Sequence, residues 1–464
     1  MPVKTLGALL LPVVLGISLA AGETTTTSQK VVAFTNATVI DATGSEAQPG
    51  RTVLIRGDRI IALGPTEKID LPKEAEIIDA TGKFLIPGLW DMHMHLSYTT
   101  DLAFPLLIAN GVTGIRDMGG DLEQIDAWRK QIESGERLGP HILRAGPVLD
   151  GPRPEEGKFR LTIKTPDEGR EAVRSLKKRG VDFIKVYHFL SRDSYLAIVD
   201  EAKKQSLSVA GHIPNGIDPA EASDAGHASA EHVTVMLQAL ITSTDKRGKT
   251  PKQLTAEAFD ALMGEKGAAI YQRFVKNGTW HTPTLVVQKS FLMRNELATK
   301  EDARRDYIAA STKEDWEKNN PVLKDLTAET IAERKAAFPK FVVIVGQMQR
   351  AGVRMLAGTD PPTRDVFPGF TLHDELGLLV EAGLTPMQAL QAATRNAAQC
   401  LGLLDSLGTI EVGKIADLVL LEANPLANIS NTQKIGAVVL RGKLLPKASL
   451  TAMLEAAKAE AGRK

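Results

Sequence analysis

The chain has a single cysteine in 464 residues, so Cys400 cannot form an intrachain disulfide, and the sulfur content says nothing about the compartment. Its apolar helical surroundings predict a buried structural thiol. Net charge is also lacking, because 56 basic and 56 acidic side chains cancel. Neither nucleic acid nor an anionic membrane surface is therefore an expected partner. Long hydrophobic runs are scarce as well. The longest apolar stretch, Leu6 to Ala21, is short for a bilayer span and has no basic stop-transfer flank, so no stable membrane anchor is expected.

That stretch has a different meaning. One positive side chain, Lys4, precedes the apolar run, which ends in small residues and turns polar at GETTTTSQK. This order predicts a secretory signal peptide over residues 1–21, cleaved after Ala20 or Ala21, and a mature protein that is periplasmic or secreted. No cysteine follows the leader, which excludes a lipid-modified N-terminus of the bacterial lipoprotein type. The remainder, 43% hydrophobic and 24% charged over the whole chain, has the composition of an ordinary globular protein, long enough for two or three domains or one large barrel with an appendage.

Residues 31–83 alternate apolar and polar positions with Gly and Asp punctuation, which predicts a small antiparallel sheet. IEVGKIADLVLLEANPL and GAVVLRGKLL near the end return to that texture. A small β-sandwich domain assembled from both chain ends, 30–85 plus 405–446, is therefore expected, with an α/β domain over 86–404 between its halves and a helical tail at 447–464. Within the central region, short apolar runs alternate with helical stretches: LWDMHMHL, VTGIRDMG, HILRAGPVL, DFIKVYHF, SVAGHIP, SAEHVTV, TWHTPTLVV and VRMLAGTD. Eight such runs predict a (β/α)8 TIM-like barrel, whose active site lies at the carboxyl ends of the strands. The segments 240–278 and 288–350 read as helical insertions or long outer helices. Residues 371–403 have helix-turn-helix texture, with Thr385-Pro386 opening the second helix.

Most of the reactive residues fall late in these runs. In an extended strand, side chains at i and i+2 share a face, so His93 and His95 converge while Met94 points away. Paired imidazoles are half of a plausible metal site. Later runs add Lys185, His212, His232 and Asp360. Taken singly, each has a bland alternative: Lys185 an ion-pair partner at the barrel mouth, His212 and His232 satisfied polar groups, Asp360 a turn former before Pro361-Pro362. Taken together, they can surround two metals. A lysine ammonium has no lone pair to offer, but its carbamate has two oxygens that bridge cations.

With PGLWDMHMHL, Lys185, GH at 211–212, EH at 231–232 and AGTD at 357–360 in place, the chain resembles the amidohydrolase superfamily, in its imidazolonepropionase and prolidase-like binuclear branch. The resemblance covers residues 31–445, including LTPMQALQAATRNAA and GTIEVGKIADLVLL. It implies His93, His95 and Asp360 on a buried metal, His212 and His232 on a second, and N-carboxylated Lys185 bridging them. It further implies two divalent ions, of which zinc suits the ligands, a bridging hydroxide that attacks the scissile carbonyl, and Asp360 as the proton shuttle. An exported binuclear amidohydrolase acting on a small molecule with an amide or cyclic amide C–N bond is expected, without any Ser or Cys nucleophile. The alternatives are an esterase, lactonase, phosphotriesterase or prolidase-like dipeptidase at the same site, and a non-catalytic barrel, which would be expected to have lost ligands. Homo-oligomerisation is left open.

The sequence departs from the family at one position. Dipeptide-cleaving relatives carry a carboxylate-binding tyrosine two positions after the histidine of the GH motif, where this chain has Pro214. Tyr187 and His188 are candidates to line the substrate pocket instead, with barrel packing or support of a ligand as the alternative. His141, His281, His227 and Arg116 stand near strand ends as further candidates for substrate contact. RGKT at 247–250 lacks the upstream glycine of a phosphate loop, since position 243 is Ser243.

Overall fold

The computed structural model describes Met1 and residues 30–153, 157, 159–243, 249–297, 300–319 and 326–463. Apart from Met1, the leader expected at 1–21 lies outside them. The chain begins with β1 (Val31–Val39), β2 (Gln48–Arg56), β3 (Arg59–Pro65), β4 (Glu76–Asp79) and β5 (Phe84–Pro87). β1 and β2 are antiparallel, as are β2 and β3, whose two-residue turn places Gly57 at φ 59°. β4 and β5 run parallel to β1, which corrects the expectation of a wholly antiparallel sheet. Alternating hydrophobicity identifies a strand but not its direction. Here residues 66–75 carry the chain back so that β4 enters beside β1 in the same sense.

Ten short strands follow: β6 (Leu89–Met94), β7 (Val112–Asp117), β8 (His141–Arg144), β9 (Val148–Asp150), β10 (Arg160–Thr162), β11 (Ile184–Val186), β12 (Val209–Gly211), β13 (His227–Glu231), β14 (Trp280–Thr282) and β15 (Arg354–Met355). The chain closes with β16 (Leu418–Leu421), β17 (Ile435–Leu440) and β18 (Lys443–Pro446). β16 pairs with β5, Val419 opposite Ile86, and the resulting order β18-β17-β16-β5-β1-β2-β3, with β4 on β1, puts both chain ends into one sheet.

The central strands pair parallel in two groups, β6-β7-β8 and β10-β9-β11-β12-β13-β14-β15. Backbone hydrogen bonds cross both gaps between the groups. Asp182 donates to Arg144 O (3.0 Å), Met92 to Ala357 O (2.9 Å) and Asp360 to His93 O (2.7 Å). Interleaved helices start at recognisable caps. Thr165-Pro166, Asp218-Pro219 and Thr385-Pro386 each combine a side-chain acceptor with a proline in the first turn, where the missing N–H costs nothing. The strands are shorter than the apolar runs that announced them. Val233 and Leu285 already begin helices, Val233–Ser243 and Leu285–Leu292, and HILRAGPVL splits into β8 and β9. Residues 371–403 hold three helices in place of two, Phe370–Glu381, Pro386–Ala392 and Arg395–Cys400.

The expected insertions are helical. The segment from Ala303 to Asn319 is fastened to the loop after Asp360: Trp316 Nε1 donates to Pro362 O (2.6 Å), and Arg305–Asp365 (2.5 Å) and Arg364–Glu317 (2.7 Å) are ion pairs. The C-terminal helix Lys447–Ala461 buries Leu450, Ala457 and Ala461. Among the described residues no helix is long and apolar enough to cross a membrane.

Candidate metal centre

Four imidazoles meet at the carboxyl ends of β6, β12 and β13, and each has its Nδ1 engaged. His93 Nδ1 lies 3.0 Å from Glu231 Oε2, and His95 Nδ1 2.9 Å from Gly119 O. A carboxylate and a carbonyl only accept, so both Nδ1 atoms carry the proton. His232 Nδ1 is 2.7 Å from Thr284 Oγ1, whose own proton goes to Pro283 O, which makes this Nδ1 a donor too. His212 Nδ1 faces His188 Nε2 at 2.8 Å. The Nε2 lone pairs of His93, His95 and His232 are thereby left available, the tautomer that metal-ligating histidines adopt when a neighbour holds the other nitrogen, and His212 joins them when its Nδ1 donates to His188.

The ligand atoms of His93, His95 and Asp360 lie within 4.8 Å of one another. Asp360 Oδ1 is 3.3 Å from His95 Nε2 and 3.6 Å from His93 Nε2, and Oδ2 turns towards His232 Nε2 at 3.7 Å. The His93 and His232 ring centroids are 4.5 Å apart, and those of His212 and His232 4.6 Å. Lys185, on β11, is 1% exposed, and its Nζ has no hydrogen-bond partner among the described residues. A buried ammonium left unsatisfied is costly. Burial is the main cause that lowers its pKa to about 8, against the raising effects of Glu231 and Asp360.

Burial likewise lowers His93 and His212 well below the ordinary histidine value and His232 to about 4, each helped by the Lys185 charge. Burial alone would raise Asp360, but His93, His95 and His232 outweigh it and hold this carboxyl well below the usual range. His232 and Asp360 sit at φ 64° and 60°, a left-handed backbone that non-glycine residues rarely adopt and that concentrates at functional sites. Two glycines admit this crowding. A Cβ at Gly358 would stand 2.9 Å from His93 N, and one at Gly211 would stand 2.2 Å from Val186 O and 2.9 Å from Lys185 Cδ.

Three residues that sequence reasoning passed over hold the cluster in place. Glu231 accepts from Arg116 (2.7 Å) and Ser229 while it faces His93. It stands beside His232 in the EH motif, so adjacency was the available signal. Asp91 accepts from His93 N and from Thr359 N and Oγ1, which ties the loop carrying Asp360 to β6. Thr284 belongs to no motif and reaches His232 from 52 positions away.

Several candidates for substrate contact are placed elsewhere. His141 opens β8 at the amino end, where its Nε2 meets Asp417 Oδ2 at 2.7 Å and its ring stacks on Trp90, so it ties the central strands to the terminal sheet. Arg116 is buried between Met92 O and Glu231. His227 opens β13 and is spanned by Tyr195 OH and Gly211 O. His281 is wholly buried, donates from Nδ1 to Ala230 O, and does not line the cleft at the metal centre. His188 supports His212. Cys400 is partly rather than fully buried, beside the cluster around Trp90 and Trp280.

Tyr187 does line that cleft, a space of about 290 Å³ bordered also by His95, Tyr98, Phe159, Arg160 and Thr363. A larger cavity, about 490 Å³, lies against the helices Leu285–Leu292 and Phe370–Glu381, and none of the six converging groups borders it.

Residues 84–445 match the model of the amidohydrolase family. An ochratoxinase from Aspergillus niger is 28% identical over 450 residues, covering 83% of this chain and 80% of its own. An imidazolonepropionase from Symbiobacterium thermophilum is 24% identical over 418 residues, covering 86% and 90%. A prolidase-like structure from Bifidobacterium longum, 26% identical, superposes with a TM-score of 0.67 over 93% of this chain and 99% of its own.

Proposed function

This chain belongs to the amidohydrolase family, and from that premise we propose that it is an exported hydrolase holding two divalent metal ions, with zinc the ion best suited to the donors, that cleaves a non-peptide amide or cyclic amide C–N bond in a small molecule. The observation that carries this reading is the convergence of His93, His95 and His232 on Asp360, with His212 packed against His232 and a buried Lys185 Nζ that has no hydrogen-bond partner among the described residues. These donors fit divalent cations in type and in orientation.

In this reading His93, His95 and Asp360 would hold one ion, His212 and His232 the other, and Lys185, carboxylated on Nζ, would serve both. Bound there, the ions would acidify a water and polarise the scissile carbonyl. Lys185 suits its part because a pKa of about 8 leaves roughly a tenth of the amine neutral at pH 7. Its nitrogen lone pair adds to the carbon of CO₂ and the N–H proton is lost, which leaves a carbamate. Asp360 is held ionised and its side chain is 19% exposed, so it accepts the proton of the attacking water and returns it to the departing nitrogen.

The strands β6, β7, β8 and β11 to β15 form the (β/α)8 barrel of this reading, supported by the backbone bonds across both gaps. The barrel occupies 86–404, the β-sandwich domain 30–85 plus 405–446, and the last helix 447–464. The leader at 1–21 directs the chain to the periplasm or the medium. Export predicts a mature chain beginning near residue 21 or 22, whereas an intact mass retaining Met1 in soluble cytoplasmic protein contradicts it.

A panel of amides, dipeptides, lactones and organophosphates, assayed before and after chelation, tests the activity. Amide turnover that a chelator abolishes and zinc restores is expected. Turnover of esters or phosphotriesters alone, or indifference to chelation, would count against the reading.

A further inference from the structure

The helix Leu285–Leu292 starts at a threonine that does not cap it. At four other helix starts in this chain, Thr165, Thr250, Thr327 and Thr385 are extended, and each hydroxyl accepts from the backbone N–H three residues on. Thr284 holds the same position, but its backbone is left-handed, at φ 48° and ψ 52°, and its side chain makes no cap bond. Its hydroxyl is committed elsewhere: it accepts from His232 Nδ1 (2.7 Å) and donates to Pro283 O (2.8 Å). A β-branched residue at positive φ is strained and persists only where its surroundings fix it from several sides.

Those surroundings are His232 on one side and Glu375 on the other. The turn before the helix grips the histidine at three points, because His232 N donates to Thr282 O (2.8 Å) and Val233 N to Pro283 O (3.2 Å), besides the ring contact to Thr284. On the helix side Leu285 and Val286 are buried, and their N–H groups, in the first turn, have no acceptor within the helix. Left unpaired, both would be costly. Glu375, wholly buried on the helix Phe370–Glu381, meets both: Leu285 N donates to Oε1 (3.0 Å) and Val286 N to Oε2 (2.9 Å). A carboxyl group 90 positions from Leu285 thus does the capping that Thr284 does not.

We propose that Glu375 is a positioning residue for the ion assigned to His212 and His232: by capping the helix in place of Thr284, it lets the Thr284 hydroxyl hold His232 in its Nδ1-protonated form, with Nε2 free for the metal. Neighbours of this kind, which touch a ligand's other nitrogen or what holds it, set ring orientation and metal affinity. A glutamine at the same place would offer one carbonyl oxygen but set its NH2 against the second N–H.

Equilibrium competition between the zinc-loaded full chain and a chromophoric chelator reads both ions. Glu375→Gln is expected to weaken one of them by on the order of 10- to 100-fold and to leave the other close to wild type. Thr284→Val should likewise weaken one ion, and the double variant should lose little more than Thr284→Val alone, because Glu375 acts through that hydroxyl. Equal weakening of both ions, losses that add in the double variant, or no change in Glu375→Gln would each overturn the inference. Where Glu375→Gln does not fold, Glu375→Asp, which keeps both oxygens on a shorter stem, carries the same comparison. The inference rests on the two-metal reading above. If wild type binds fewer than two ions, that reading fails, and the ring nitrogens of His232 still decide the role of Glu375. By nitrogen NMR of protein carrying isotope-labelled histidine, with the His232 signals assigned by their absence in His232→Gln, Nδ1 is expected to hold the proton in wild type and to share it with Nε2 in Glu375→Gln. The same tautomer in both would overturn the inference.

Discussion

Lys185→Ala is expected to lose most bound metal and nearly all turnover. The side chain is 1% exposed, and its Nζ has no hydrogen-bond partner among the described residues, so the proposed carbamate would be its means of satisfaction. Truncation removes the one group assigned to both ions, and it also leaves a void where two charges had been screened from each other. Of the ligand substitutions it should therefore be the most damaging. The void is open to a small anion. Formate, acetate or propionate in the buffer should restore part of both metal content and rate by supplying the missing oxygens. Full activity of Lys185→Ala without any added acid would take Lys185 out of the site.

Asp360→Asn should behave in the opposite way, with metal kept and rate lost. Three other groups, His93, His95 and carboxylated Lys185, hold the same ion in the proposed arrangement, and asparagine preserves an oxygen donor of the same shape. What it cannot do is accept and return a proton. The loss should be on the order of 10²-fold or more in kcat, with a smaller effect on KM. Near wild-type turnover with both metals in place would reassign the shuttle. The geometry makes that reassignment hard, because His188 is committed to His212 and His281 is wholly buried and does not border the cleft.

Several of the ligand candidates were legible because His95, His212 and His232 directly follow β6, β12 and β13, where a short apolar run gives way to a reactive residue, whereas Lys185 lies within β11 and Asp360 five residues beyond β15. His93 and His95 could be paired from the i, i+2 spacing alone. His141 misled because nearness to a strand end does not say which end: it opens β8, and Asp417, 276 positions later, holds it at the opposite pole. Glu231 sat in view next to His232, but its service to His93 depends on β6 and β13 lying across from each other, which periodicity does not encode. Thr284 and Glu375 had no local signature at all. The parallel placement of β4 and β5 was hidden for the same reason, since apolar alternation is identical in both directions.

The central claim is a two-metal centre built on Lys185 and worked by Asp360. Elemental analysis of never-chelated protein, run side by side on wild type, Lys185→Ala and Asp360→Asn, tests it most directly. About two divalent ions per chain are expected in wild type, a ratio well below that in Lys185→Ala, and a ratio close to wild type in Asp360→Asn. One ion or none in the wild-type protein, or an undiminished ratio in Lys185→Ala, would contradict it.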